Sequence, residues 1–372
     1  MKAPELYIGL MSGTSLDGVD GVLASIDSHG KLHVMQHATT SFSADLRSTL
    51  LALNQSGTDE LHRACLAANA LARVYAKVVA QLLGQSELPA SSITAIGAHG
   101  QTVRHQPLLH DGTGYTVQLN NPALLSELSG IDVVADFRTR DLAAGGQGAP
   151  LVPAFHHGLF ARDGATVAVL NIGGISNLSV LPDTGAVAGW DCGPGNALMD
   201  HWCQQHTGQP FDRDGAWAAS GQIQERLLQR LLQEDYFQQP PPKSTGRDLF
   251  NPAWLSQRLA DCGPMAAEDV QATLTAFTAQ ACARDVRRHA PQARELIVCG
   301  GGALNLDLMR RLQEELPGVA VIGSDARGLP AQQVEAAAFA WLACKCMRHE
   351  TASLPSVTGA QGARVLGAIY PR

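Results

Sequence analysis

Val167-Ala-Val-Leu-Asn-Ile-Gly-Gly-Ile-Ser-Asn177, followed after a turn by Trp190-Asp-Cys-Gly-Pro-Gly-Asn196, is the stretch on which the fold turns. Val167 to Ile172 is almost continuously apolar and rich in β-branched residues, as expected of a strand buried on both faces. Gly173 and Gly174 then let the backbone turn sharply and bring amide N–H groups close to a charged ligand, with Ser176 and Asn177 adding side-chain donors. The chain returns at once through Asn177 to Leu181, turns at Pro182-Asp-Thr-Gly185 and runs on to Trp190, a hairpin with no intervening helix. That hairpin delivers Asp191 at a strand tip, followed by Gly193 and Gly195. Either glycine turn alone is an ordinary tight turn, and Asp191 alone an N-cap for a helix starting near Asn196. Together they suggest a phosphate site with a carboxylate beside it.

The same device occurs near the N-terminus. Leu6 to Met11, a turn carrying Ser12, Gly13, Thr14, Ser15, Asp17 and Gly18, and the run to Ile26 read strand, glycine turn, strand. Amides and hydroxyls are present, but there is no GxxxxGK[ST] and no room for the helix that such a loop requires, so a β-hairpin clamp fits better. A weak internal duplication follows. A third turn, Gly300-Gly301-Gly302, comes after the apolar strand Glu295 to Cys299, and packing alone does not call for three glycines.

Between these turns, Asp59 to Leu83 carries a helical apolar stripe with a stop expected at Gly84. Ile93 to Ala98 is a buried strand ending in His99-Gly-Gln-Thr102. His99 and His105 are candidate acids, though such histidines more often bond locally. Asn121-Pro122 starts a short helix. Ile131 to Ala135 leads to Arg138, Arg140 and Asp141, either a surface ion-pair cluster or an Arg fork for a carboxylate or phosphate. The glycine-rich stretch Leu142 to Pro150 is the expected hinge, dividing lobe 1–140 from lobe 141–372 and leaving open that the C-terminal end packs back on the first. The proline-rich stretch from Gln239 to Asp248, with Lys243, Ser244, Thr245 and Arg247, is read as a surface connection. Asp269 to His289 is a long helix, Asn305 caps the next one, and a helix Ala331 to Met347 carries Glu335.

The chain has 372 residues, 45% hydrophobic and 16% charged, with a net charge of −7. Two globular domains with their own cores are within reach, and the acidic balance disfavours nucleic acid as a partner. Eight cysteines show no CxxC pair and no metal-like spacing, so reduced thiols in a reducing compartment are expected. No apolar run is read as reaching membrane-spanning length, and Leu6 to Met11 is too short for a signal segment. A cytoplasmic protein with no membrane partner is the expectation.

Three glycine turns after buried strands, in this order, resemble the acetate and sugar kinase, heat-shock ATPase and actin superfamily. Met11 to Asp20, Asp136-Phe-Arg138, Gly145 to His156, Asn171 to Asn177, Asp191 to Asn196 and Pro242 to Arg247 are more closely similar to the anhydro-N-acetylmuramic acid kinases. Cys192 stands where Thr is common in that family, and Leu16 where Met is common. The resemblance implies an α/β, two-lobed actin-like fold, each lobe a mixed sheet with flanking helices around an interdomain cleft. It implies ATP and Mg²⁺ as cofactors, a muramic-type sugar as substrate, and a homodimer. Asp191 would be the general base. Ser12, Gly13, Thr14, Ser15, Leu16, Asp17, Gly18 and Val19 would clamp the β- and γ-phosphates, with Asp17 at the metal. Gly173, Gly174 and Asn177 would hold the second phosphate edge, Gly193 and Asn196 would also bind the nucleotide, and Gly300, Gly301 and Gly302 would hold the adenosine. Arg138, Glu335, Gln147 and His99 would hold the sugar. A phosphohydrolase or a non-enzymatic nucleotide clamp of the same superfamily are the rival readings.

Overall fold

The computed structural model describes residues 3–13, 15–247 and 249–372. The chain forms two compact units, Met1–Leu159 with Gln333–Arg372, and Phe160–Gln332. In chain order the strands are β1 (Glu5–Met11), β2 (Gly18–Ile26), β3 (Leu32–Ser41), β4 (Ile93–Ala98), β5 (Gln101–Pro107), β6 (Gly114–Leu119), β7 (Val133–Ala135), β8 (Val167–Ile172), β9 (Ile175–Leu181), β10 (Ala188–Pro194), β11 (Glu295–Cys299), β12 (Ala320–Gly323) and β13 (Ala368–Tyr370).

The first unit holds a sheet in the order β13-β7-β4-β1-β2-β3, the second a sheet in the order β10-β9-β8-β11-β12. In the first, β1, β2 and β3 form an antiparallel meander, and β1 pairs in parallel with β4, which pairs in parallel with β7. In the second, β8, β9 and β10 form the meander, and β8 pairs in parallel with β11, which pairs in parallel with β12. The duplication suggested by two glycine hairpins therefore extends to the whole sheet plan. Parallel pairing needs a long crossover, which helix Glu60–Ser86 supplies in the first unit and helix Ala267–His289 in the second.

All six residues of β8 are buried, as its unbroken apolar run demands. Helix Glu60–Ser86 buries Leu71, Tyr75, Val78 and Leu82 at helical spacing against Ile8, Leu10, Leu23 and Ile96 of the sheet. Each fully buried Leu or Val there contributes about 1.5–3 kcal/mol. The helix runs past Gly84, where a stop was expected, and ends where Glu87 takes the left-handed conformation at φ 54°. By length and composition alone this 27-residue helix could cross a membrane, contrary to the expectation that no apolar run is long enough. Its apolar stripe serves the core of the first unit.

The division between units falls after Leu159, not at the glycine-rich stretch after Arg140. The stretch is pinned inside the first unit. Asp141, wholly buried, accepts the Gly148 N–H at 2.8 Å and the Thr358 hydroxyl at 2.9 Å. Gln147 N–H donates to the Thr358 carbonyl at 2.8 Å, and Gln361 N–H to the Ala144 carbonyl at 2.9 Å. Glycine content signalled flexibility, but these long-range bonds fix the backbone. The C-terminal segment belongs to the same unit, where β13 pairs antiparallel with β7. Helix Val334–Met347 lies so close to the sheet that a Cβ at Gly9 or Gly97 would overlap its backbone at Ala336 or Phe339.

Candidate functional site

In the second unit, the two glycine turns form one cluster at the carboxyl end of β8. The Gly173 carbonyl accepts the Asn196 N–H at 2.8 Å, and the Gly174 carbonyl accepts those of Gly195 and Ala197 at 3.0 and 3.2 Å. The Asn196 side-chain amide donates to the Ile172 carbonyl at 3.2 Å. β11 runs parallel to β8 and ends beside it, so the Gly300 turn joins the same cluster. The carboxyl ends of parallel strands are where open α/β sheets bind ligands. Asn177 pairs with Asp191 in the β9–β10 register.

Packing accounts for two of the three consecutive glycines and leaves the third unexplained, in keeping with the expectation that packing alone does not call for three. A Cβ at Gly300, which has φ +77°, would stand 2.5 Å from the Asn171 side chain and 2.7 Å from the Ile172 carbonyl. One at Gly302 would overlap the Ile172 side chain. Gly301 differs: its nearest neighbour would be the Asn196 amide at 3.4 Å, an ordinary contact. Gly173 is as open, with only the Ile175 carbonyl at 3.7 Å.

Asp191 is 9% exposed. The register of β10 against β9 shifts between Asp191 and Gly193, and Gly193 adopts φ 140°. Such a bulge re-aims side chains and ends regular pairing. The Asp191 carboxylate accepts the Thr245 N–H at 3.0 Å, its N–H donates to the Lys243 carbonyl at 3.1 Å, and its carbonyl accepts the Tyr236 hydroxyl at 2.7 Å. The segment read as a surface connection is thus laid along the candidate base, and Lys243 is buried. Its polar, proline-rich composition resembled a solvated loop because the groups that receive it lie far away in sequence. Asp248, at the end of that segment, lies outside the described residues.

The first unit places its expected residues in two groups. At the β1–β2 tip, the buried Ser12 hydroxyl lies 3.0 Å from the Tyr75 hydroxyl and donates to the Gly100 carbonyl at 3.1 Å. Gly100 N–H donates to Tyr75 at 3.0 Å, and the Gln101 amide to the Gly13 carbonyl at 3.1 Å. Ser12 therefore ties the hairpin to the end of β4, and its hydroxyl already has these internal partners. Leu16 and Val19 are buried in apolar clusters, so their part toward a ligand would be through backbone alone. Gly18 is packed against the Thr40 carbonyl. Ser15 is half-buried. Thr14 lies outside the described residues. Asp17 is exposed, 3.9 Å from Arg47. Among the described residues no three His, Cys, Asp or Glu side chains gather as a metal cluster, so Asp17 would hold a cation only together with ligand oxygens and water.

The second group gathers residues expected at the sugar. Arg138 donates to His99 Nε2 through Nη2 at 2.9 Å and Nε at 3.3 Å, and through Nη1 to the Gly148 carbonyl at 2.7 Å. The adjacent Gln147 is fixed by its backbone bond to Thr358. The His99 ring lies tilted against Phe339, centroids 4.6 Å apart, and half-buried Glu335 lies one helical turn before Phe339. Burial, reinforced by Arg138, pushes the His99 pKa well below the ordinary histidine value. A neutral imidazole whose Nε2 accepts from arginine is an orienting group and not the acid that its strand-end position suggested. Tyr75 and Thr245 were not assigned roles from sequence. A single tyrosine in an otherwise aliphatic helical stripe is a signal, since its buried hydroxyl needs a partner.

These histidines make stability pH-dependent. Burial, then Arg138, lowers His105 to about 4, and burial lowers His156 to about 3. The unfolded chain protonates all three near 6.5 while the folded chain leaves them neutral, so the unfolded state binds more protons below that pH. Stability should be full above pH 6.5 and fall as pH drops, by up to about 1.4 kcal/mol per pH unit per histidine. Denaturant unfolding at pH 7.5, 6.5 and 5.5 checks this; an unchanged midpoint would contradict it.

A family model described as anhydro-N-acetylmuramic acid kinase matches residues 5–372. Proteins named anhydro-N-acetylmuramic acid kinase from Variovorax paradoxus (strain S110), Albidiferax ferrireducens and Cupriavidus pinatubonensis are 66%, 60% and 59% identical to this chain. The alignments cover 99%, 99% and 98% of the chain, and 100%, 99% and 98% of the relatives. Asp191 lies inside β10 beside its bulge and not at the strand tip expected from the sequence, because the strand continues to Pro194. With two units of mixed sheet and flanking helices, and glycine turns at the carboxyl ends of β1, β8 and β11, the chain belongs to the anhydro-N-acetylmuramic acid kinase family.

Proposed function

We propose that Asp191 is the general base in an ATP-dependent phosphorylation of 1,6-anhydro-N-acetylmuramic acid at O6, coupled to hydrolytic opening of the anhydro ring. The products are N-acetylmuramic acid 6-phosphate and ADP, which places the enzyme in cell-wall recycling and amino-sugar catabolism. Asp191 takes a proton from water as the water oxygen bonds to C1. The C1–O6 bond breaks, and O6 receives the γ-phosphoryl group from ATP. The observation that carries this reading is the hold on Asp191: a backbone N–H from Thr245 on its carboxylate, with its own N–H and carbonyl both bonded. A donor on the carboxylate favours the charged form that a base requires.

Arg138, oriented by His99, would meet the lactyl carboxylate, with Glu335 and Gln147 completing the grip on the sugar. The open positions at Gly173 and Gly301 leave room for nucleotide where a Cβ would otherwise stand, with Gly174, Asn177, Gly193 and Asn196 in the same cluster. The backbone of the β1–β2 tip would bind phosphate. Mg²⁺ neutralises charge on the triphosphate when bound, and the Asp17 carboxylate is a suitable hard ligand for it. The eight free thiols are consistent with a reducing cytoplasm. The fate of the water oxygen tests the reading: heavy oxygen from solvent should enter the sugar and not the phosphate.

A further inference from the structure

Helix Ala267–His289 presents a buried polar stripe to the strand that carries Asp191. Thr275, Thr278, Cys282 and Asp285 follow one another at helical spacing, and all are buried. The Thr278 hydroxyl is 3.2 Å from both the Pro194 and Gly195 carbonyls, and Thr275 donates to Met199 Sδ at 3.3 Å. At the other end, Asp285 Oδ2 accepts the Trp190 indole N–H at 2.8 Å. The same oxygen lies 3.5 Å from Lys243 Nζ, which also sits 4.8 Å from the centre of the Tyr236 ring. Lys243 and Asp285 are each about 5% exposed.

Asp191 is bracketed by these groups. Trp190 precedes it, the Lys243 carbonyl holds its N–H, Tyr236 holds its carbonyl, and Thr245, two residues after Lys243, donates to its carboxylate. We propose that the Lys243–Asp285 pair is a positioning device for the base: Asp285 holds both the indole before Asp191 and the lysine whose backbone segment supports its carboxylate. This rests on the reading of Asp191 as base. Removing a lysine and an aspartate from water is unfavourable enough that an apolar pair of similar volume would stabilise the fold as well or better. What the ion pair adds is direction: it fixes the register of the Lys243–Thr245 backbone against β10. A shift on the order of 1 Å in a reacting group lowers rate about 10²-fold.

The double variant Lys243→Met with Asp285→Asn removes both charges and leaves an amide oxygen for the indole. We expect it to bind a non-hydrolysable ATP analogue with parental stoichiometry and affinity, and to keep KM for both substrates. Its kcat should fall about 10- to 100-fold. Lys243→Gln, one atom shorter but still carrying a neutral N–H donor, should show a smaller fall with the same unchanged KM, and serves as the test if the double variant does not fold. A merely structural pair would instead lower the fraction of chains that bind the analogue, with kcat per binding-competent chain unchanged; that result overturns the proposal. Asp191→Asn, assayed alongside, separates the two failures. If it turns over like the parent, the base reading is at fault, and the proposal falls with it. If it is inactive while the pair variants are parental, only the positioning role is wrong.

Discussion

Asp191→Asn is expected to lower kcat by about 10²- to 10⁴-fold, the usual contribution of a positioned general base. The substitution keeps the shape of the side chain and an amide oxygen that can still accept the Thr245 N–H, so β10 retains its tie beside the bulge. Its backbone bonds to Lys243 and Tyr236 do not involve the side chain at all. Binding of ATP and sugar should therefore be nearly unaffected, with the loss confined to the step in which water gives up its proton. Turnover close to the parent, in a variant whose circular dichroism is parental, would remove Asp191 from the chemistry.

The second large effect separates neighbouring glycines. Gly301→Val places its Cβ 3.4 Å from the Asn196 amide, its sole neighbour within 4 Å among the described residues, and Gly301 is exposed, so the variant should fold with a change within about 0.5 kcal/mol. If adenosine lies against that backbone, affinity for a non-hydrolysable ATP analogue should drop at least about tenfold, roughly 1.4 kcal/mol. Gly173→Val makes the same test at the phosphate edge, since only the Ile175 carbonyl lies within reach of its Cβ. Gly302→Val is the contrast: overlap with the buried Ile172 side chain should destabilise the second unit by about 1–3 kcal/mol whether or not nucleotide binds. Calorimetry showing parental affinity in both Gly173→Val and Gly301→Val would return these turns to packing.

Local signals were the legible ones. The apolar run of β8, the Asn305 and Asn121 caps and the two glycine hairpins each depend on residues within a few positions of one another, and each is found where the sequence puts it. Long-range ties were not legible. Leu142 to Pro150 looked like a hinge because its partners, Thr358 and Gln361, come near the end of the chain. Lys243 looked solvated because its burial depends on Asp285 and Tyr236, brought to it by the fold. The tie from Ser12 to Tyr75 was hidden because nothing near Ser12 in sequence announces Tyr75. In the candidate site Asp191 could be singled out from its strand and flanking turns as the residue to test, whereas what holds it in place could not.

The account stands most directly on where the attacking water goes. The reaction run in water enriched in heavy oxygen, with ATP and the anhydro sugar, should give sugar phosphate carrying one solvent oxygen at C1, phosphoryl oxygens at natural abundance, and no ADP when the sugar is omitted. Mass spectrometry of the product and its fragments reads the position of the label. Solvent oxygen in released phosphate, with ADP formed in the absence of sugar, would contradict the account and make Asp191 the base of a phosphohydrolase.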